Sequence, residues 1–115
     1  VWSTKQADDK FRHWIYKRDG KCMLCGRKPP QIVLTNSHYW GRFTSSTRYD
    51  PNNCDALCQR CHFEVENAKQ GKYREFKIKQ LGEEGYKALE KRYYQEKITR
   101  REAIIKCMKL LGFMV

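Results

Sequence analysis

Two C-x2-C pairs, Cys22/Cys25 and Cys58/Cys61, enclose His38 and Asn53, and His62 follows the last cysteine directly. Thiolates are soft ligands, and four of them complete the tetrahedron that structural Zn2+ prefers. The gap between the pairs is longer than in a short zinc ribbon, yet a redox role would require two separate C-x-x-C units in one small chain. The four cysteines therefore read as one metal clamp. Cys54 and Cys107 are left over. Cys54 lies one helical turn before Cys58 and competes as a ligand on spacing, but both fit better as small buried apolar residues. His38 follows a β-rich run at the edge of a polar loop, where a neutral imidazole can face a cleft and accept a proton near physiological pH. A lone histidine is usually structural, so this reading of His38 depends on the cysteine frame around it.

The elements that must position these groups can be taken in order. Ser3 and Gln6 form a capping box, and Ala7, Phe11, Trp14 and Ile15 share one helical face. With Lys17 and Arg18 in the last turn and Gly20 beyond, they predict a helix over 4–18. Cys22 to Gly26 reads as a zinc knuckle, in which Gly26 relieves the tight backbone. Pro29-Pro30 argues against helix. Ile32 to Thr35 predicts a short strand, and Thr47-Arg48-Tyr49 its returning partner. Asp50-Pro51-Asn52-Asn53 is turn chemistry able to cap the next helix. Residues 54–69 read as a central helix ending at Gly71. Tyr73 and Phe76 follow on one face, with a break at Gly82 and a further helix carrying Tyr86, Leu89 and Tyr93. Thr99 and Glu102 form a second capping box, with Ile98 and Ala103 as a staple. Ile104, Ile105, Met108 and Leu111 mark a last helix that Gly112 ends.

The chain has 115 residues, which suits one domain with a small core that a metal would help to hold. Its net charge of +11 and pI near 9.5 suit a polyanionic partner, most often nucleic acid. Part of that charge, mixed with Glu in the C-terminal helices, reads as a solvated face. No apolar run is long enough to span a bilayer, no secretory signal is visible, and no helix sets a basic face against a Trp/Leu-rich one. Paired cysteines in such a chain point to metal binding in a reducing compartment, the cytoplasm.

The order of C-x2-C, strand, Ser37-His38-Tyr39, loop, Arg48-Tyr49-Asp50, Asn53 and Cys58-Gln59-Arg60-Cys61-His62 resembles the HNH endonucleases. These form the zinc-bound branch of the ββα-metal, or His-Me finger, group. Within them the chain is most similar to the NinG/Rap type of phage recombination nuclease. The resemblance covers about the middle half of the chain. It implies an α+β fold with a zinc-stabilised ββα-metal core. The expected division of residues 1–115 is an N-terminal helix over 1–20, the core over 21–71 and C-terminal helices over 72–115. It implies a DNA endonuclease in a bacterial or phage-infected cell, acting on DNA recognised by backbone or shape, including nicked or branched forms. It implies His38 as general base and Asn53 as the residue that bonds backbone across the loop and orients it. His62 becomes a ligand of a catalytic Mg2+ or Mn2+, and Glu66, four residues on and on the same helical face, can join it. Many such enzymes carry Asp before the base histidine, where this chain has Ser37, a poor metal ligand; Glu66 or Asp50 would compensate. Arg42, Arg48, Arg60, Arg27 and Lys28 are the expected phosphate contacts. Tyr39 and Trp40 are candidates either to stack on DNA or to pack in the core. Junction cleavage needs two active centres, so a homodimer through the apolar end Leu110 to Val115 is an expectation, as is that segment folding back on its own domain. Two competing readings stay open: a zinc module that binds DNA without cutting it, and a structural domain of a larger nucleoprotein assembly.

Overall fold

The computed structural model describes residues 1–114, and Val115, the last residue of the apolar C-terminal segment, lies outside them. Among the described residues the fold is α+β, with five α-helices around one antiparallel pair of strands. Helix α1 (Thr4–Asp19) starts at Ser3, whose side chain accepts from the Gln6 amide while the Gln6 side chain returns to the Ser3 amide. It stops at Gly20, where φ is +68°. A side chain with a Cβ would be strained at that φ, so glycine ends the helix cleanly.

Strand β1 (Leu34–His38) pairs with β2 (Cys54–Cys58), and Ser37 faces Asp55 while His38 faces Cys54. Two expectations are corrected here. The returning strand is not Thr47–Tyr49, which belongs to a short helix α2 (Ser45–Arg48) and its cap. Nor is Cys54 the start of a helix: Cys54–Cys58 is the second strand, and helix α3 (Gln59–Asn67) begins only after it. All five residues of β2 are buried. Cys54 and Ala56 join a core with Phe11, Ile15, Tyr49, Ile104 and Met108, whereas Leu57 packs with Cys22, Val65 and Tyr73. A strand covered on both faces loses its apolar–polar alternation, and its sequence then resembles a buried helical stretch. The first strand also starts later than expected, because Ile32 and Val33 lie outside the ladder.

Helix α4 (Gln70–Gln95) bends at Gly82, which leaves helical geometry with φ +73° and ψ 166°, where the sequence had placed the break. Helix α5 (Arg100–Leu110) is capped by the Thr99 side chain, which accepts from the Glu102 amide at 3.0 Å. Ala103, Ile104, Cys107 and Met108 bury one face of α5 against α1, while Leu110, Phe113 and Met114 in the apolar end beyond them stay exposed. Among the described residues, no helix is long and apolar enough to cross a membrane.

Candidate active site and metal centres

The cysteine clamp forms where the loop after α1 meets the junction of β2 and α3. The Gly26 amide donates to the Cys22 carbonyl at 2.8 Å and the Cys22 amide to the Arg27 carbonyl at 2.9 Å, closing the first knuckle. The Met23 amide donates to the Ala56 carbonyl at 2.9 Å, which docks that knuckle on β2. Cys58 ends the strand and also caps α3, its Sγ accepting from the Cys61 amide at 3.5 Å. The Sγ atoms of Cys22, Cys25, Cys58 and Cys61 lie within 4.8 Å of one another. The Cys25–Cys58 separation is 3.9 Å. Sulfurs on a tetrahedral Zn2+ stand about 3.8 Å apart, as follows from a Zn–S bond near 2.3 Å. The cluster therefore fits one structural zinc ion. Arg27 donates to the sulfurs of Cys25 and Cys58 and pulls the Cys25 thiol down to about 6, which favours the thiolate a metal needs. Cys54 and Cys107 are fully buried in the apolar core, and burial raises both thiols.

A second site opens beside the clamp, in a cleft of about 550 Å³. His38 and Asn36 from β1, His62 and Glu66 from α3, Arg12 from α1 and Arg42 from the following loop all line it. The two histidines picked out from the sequence thus share one cavity, together with Glu66.

The state of each imidazole follows from its neighbours. His38 Nε2 lies 2.9 Å from the Arg48 carbonyl. A carbonyl oxygen can only accept, so Nε2 carries the proton and Nδ1 keeps a lone pair. Burial lowers the His38 pKa to about 4, so the ring is neutral at physiological pH. On β1, the Thr35 hydroxyl donates its one proton to the Leu57 carbonyl at 2.7 Å. Its oxygen must then accept from His62 Nδ1, 2.8 Å away. That leaves His62 Nε2 facing Glu66 Oε1 at 2.8 Å. A lone pair on nitrogen and a carboxylate oxygen repel at this distance unless a proton or a cation lies between them. The Asn36 Oδ1 is also buried and, among the described residues, lacks a hydrogen-bond partner. An imidazole nitrogen and a carboxylate oxygen thus meet in the cleft that Asn36 also lines.

Asn53 is a loop clamp, fully buried. Its Oδ1 accepts from the Trp40 amide at 2.8 Å, and its Nδ2 donates to the carbonyls of Trp40 (2.9 Å) and Thr47 (3.0 Å). These bonds close the segment 40–47 into a loop, whose next residue supplies the carbonyl that orients His38.

Arg48 requires a correction. Read from sequence as a phosphate contact, it is only 6 % exposed. Its Nη2 and Nε bond Asp8 at 2.6 and 2.9 Å, and its Nη1 bonds the Arg42 carbonyl at 2.7 Å. Burial alone would raise Asp8, but Arg48 and the Tyr49 hydroxyl outweigh it and hold the carboxyl below its ordinary value. Arg48 thus braces the loop and has no fork left for DNA. Among the other expected cations, Arg42 lines the cleft; Arg27 and Arg60 stand at the cysteine cluster instead, Arg60 also pairing with Glu64 at 3.6 Å. Lys28 follows Arg27 on that exposed loop. Asp50 is committed elsewhere, paired with Arg92 at 2.6 Å. Ser37 is buried, so neither Asp50 nor Ser37 is free to complete a cation site in the cleft. Tyr39 and Trp40 take the packing alternative: the Tyr39 hydroxyl meets that of Tyr86 at 2.6 Å and Trp40 stacks on Tyr93.

Sequence reasoning missed Arg12, Thr35 and Asn36. Arg12 stands one turn after Asp8, yet only the packing of α1 reveals that this face meets the cleft. Thr35 and Asn36 carry a signal in hindsight: polar residues within a short β-rich run, next to His38. No family model matches this chain, and neither characterised proteins nor solved structures yield a match.

Proposed function

We propose that this chain is a metal-dependent DNA endonuclease with a zinc-stabilised ββα-metal core of the HNH type. The observation that carries the reading is the tautomer of His38. Its Nε2 is tied to a backbone carbonyl, so Nδ1 keeps a lone pair, and the ring lines a cleft that also holds the His62 imidazole and the Glu66 carboxylate, 2.8 Å apart. One group to take a proton and one place for a divalent cation are what phosphodiester hydrolysis requires.

In this reading His38 Nδ1 accepts a proton from the attacking water. The neutral state favoured by burial keeps that base available. His62 and Glu66 would hold the cation, Thr35 fixing the His62 ring so that its Nε2 meets Glu66, in the cleft that Asn36 also lines. A bound Mn2+ or Mg2+ supplies positive charge for the phosphate and its leaving oxygen. Arg42 and Arg12 position the phosphate, and the net charge of +11 draws the polyanion in.

The test is incubation of purified protein with supercoiled plasmid and Mn2+ or Mg2+. Wild-type protein nicks the plasmid, and His38→Ala binds it without nicking. Binding without nicking by wild-type protein at either metal would replace this reading with that of a zinc-dependent DNA-binding module.

A further inference from the structure

We propose that Asp8, on α1, is a positioning residue for His38, acting through Arg48 and the carbonyl that orients the ring. Its effect on cutting rests on the nuclease reading; its effect on the ring rests on geometry alone.

His38 is the last residue of β1, and its Nε2 is held by one backbone atom, the Arg48 carbonyl. That carbonyl ends α2, a helix of four residues whose first turn has no side-chain cap. So short a helix cannot hold itself. What fixes its last residue comes from α1. Asp8 Oδ1 accepts from Arg48 Nε at 2.9 Å and Oδ2 from Arg48 Nη2 at 2.6 Å, a fork that sets direction as well as distance. Oδ1 also accepts from the Tyr49 hydroxyl at 2.8 Å. One turn further along α1, Phe11 meets the Tyr49 ring edge-on, with centroids 5.6 Å apart. The carbonyl belongs to the peptide between Arg48 and Tyr49, and both residues are tied to α1.

Asp8 lines the cleft beside His38, but both of its oxygens are taken by these donors, so it is spent on the loop. Arg12 on α1, Arg42 on the loop, and His62 and Glu66 on α3 line the same cleft and act on the ring by charge. Without the fork, Arg48 is a buried cation lacking a counterion. It turns outward and takes its carbonyl with it. His38 then loses its acceptor, both tautomers are populated, and water reaches the ring. A base whose lone pair alternates between Nδ1 and Nε2 loses its aim at the attacking water.

The experiment is NMR of the His38 ring nitrogens in the full chain, beside plasmid nicking. Wild-type protein shows one tautomer at pH 7, with the proton on Nε2. Asp8→Asn keeps the side-chain shape but cannot accept both arms of the fork. It gives a mixture of tautomers and a His38 midpoint that rises from about 4 toward 6.5. Nicking falls about 10²-fold in kcat, as a small misplacement costs, with little change in KM. A role by charge alone predicts the reverse shift, since removing an anion near an imidazole lowers its midpoint. Asp8→Leu combined with Arg48→Met removes both charges together, leaves no stranded cation, and gives the same rise and the same mixture. One tautomer with a midpoint at or below about 4 in either folded variant, or a mixture in wild-type protein, overturns the proposal. Failure of the nuclease reading shows up separately, as wild-type protein that does not nick plasmid, and leaves the ring measurements standing.

Discussion

Two polar clusters lie beside the strand pair, and they differ in one respect. Around Asp55 every bond is made. Lys77, fully buried, donates to the Asp55 carboxylate at 2.7 Å, to the Asn52 carbonyl at 2.7 Å and to Gln80 Oε1 at 2.8 Å. The Tyr73 hydroxyl and Gln80 Nε2 each donate to Asp55 at 2.9 Å. Around His62 the count closes only with an added positive charge: once Thr35 has set the ring, Nε2 and Glu66 meet at 2.8 Å with either a second ring proton or a cation between them, and Asn36 Oδ1 is unmatched among the described residues. A saturated buried network fixes α4 against β2 and has nothing left to bind. A cluster short of positive charge has a place for a ligand. Burial of charge alone would have pointed to Asp55 and Lys77 as the functional pair; the hydrogen-bond count points to His62 and Glu66.

The largest expected effect lies outside both clusters, at the clamp that positions them. Stripping the metal with a strong chelator, or Cys58→Ser, should unfold the domain, because zinc binding to such sites is worth about 10–16 kcal/mol. Loss of helical circular dichroism and its return with Zn2+ would check this; a chelated protein that stays folded would remove the clamp from the account. Next, Lys77→Ala should cost about 3–5 kcal/mol in urea unfolding, since it strands the Asp55 carboxylate. If stability barely changes, the contrast between the clusters is broken. On the cleft side, His38→Ala should lower the nicking rate by about 10²–10⁴-fold, the usual worth of a general base. Glu66→Gln should leave stability within about 0.5 kcal/mol, as an exposed position allows. The same variant should weaken Mn2+ binding, read by isothermal titration, by about 10–100-fold, as losses at a metal's polar partners do. Unchanged Mn2+ affinity would return Glu66 to an ordinary surface ion pair with His62.

The smallest effect sharpens the state of His38. Its pKa is lowered from 6.5 to about 4 by burial. The unfolded chain therefore takes up a proton there at higher pH than the folded one. Its contribution to stability is complete above 6.5 and is lost as pH falls from 6.5 through 4. In NMR the His38 ring carbons should stay unchanged from pH 7 to 5.5; a midpoint near 6.5 would mean that the ring is solvated and its tautomer is not fixed.

Much of the site was legible because metal ligands and turn residues signal through type and local spacing. The two knuckles, the capped first helix, the break at Gly82 and the Thr99 cap all depend on neighbours a few residues away, and each lies where the sequence placed it. The strand pair was legible only in part. Leu34 and Thr35 gave away β1, but β2 hid its alternation by being buried on both sides, and Arg48 passed for a phosphate contact because its partner Asp8 lies forty positions away. Tyr39 and Trp40 read equally well as DNA contacts and as core, and packing against α4 through Tyr86 and Tyr93 decides for the core.

The amino-acid order alone determined the four sulfur ligands, the charge of the chain and the ends of its outer helices, since these follow from chemical identity and short-range geometry. Which groups hold the His38 and His62 rings, which arginine is spent inside and which carboxylate meets an imidazole were decided only by the folded chain. Those properties belong to pairs of groups brought together from distant segments, and no single stretch of sequence contains both members.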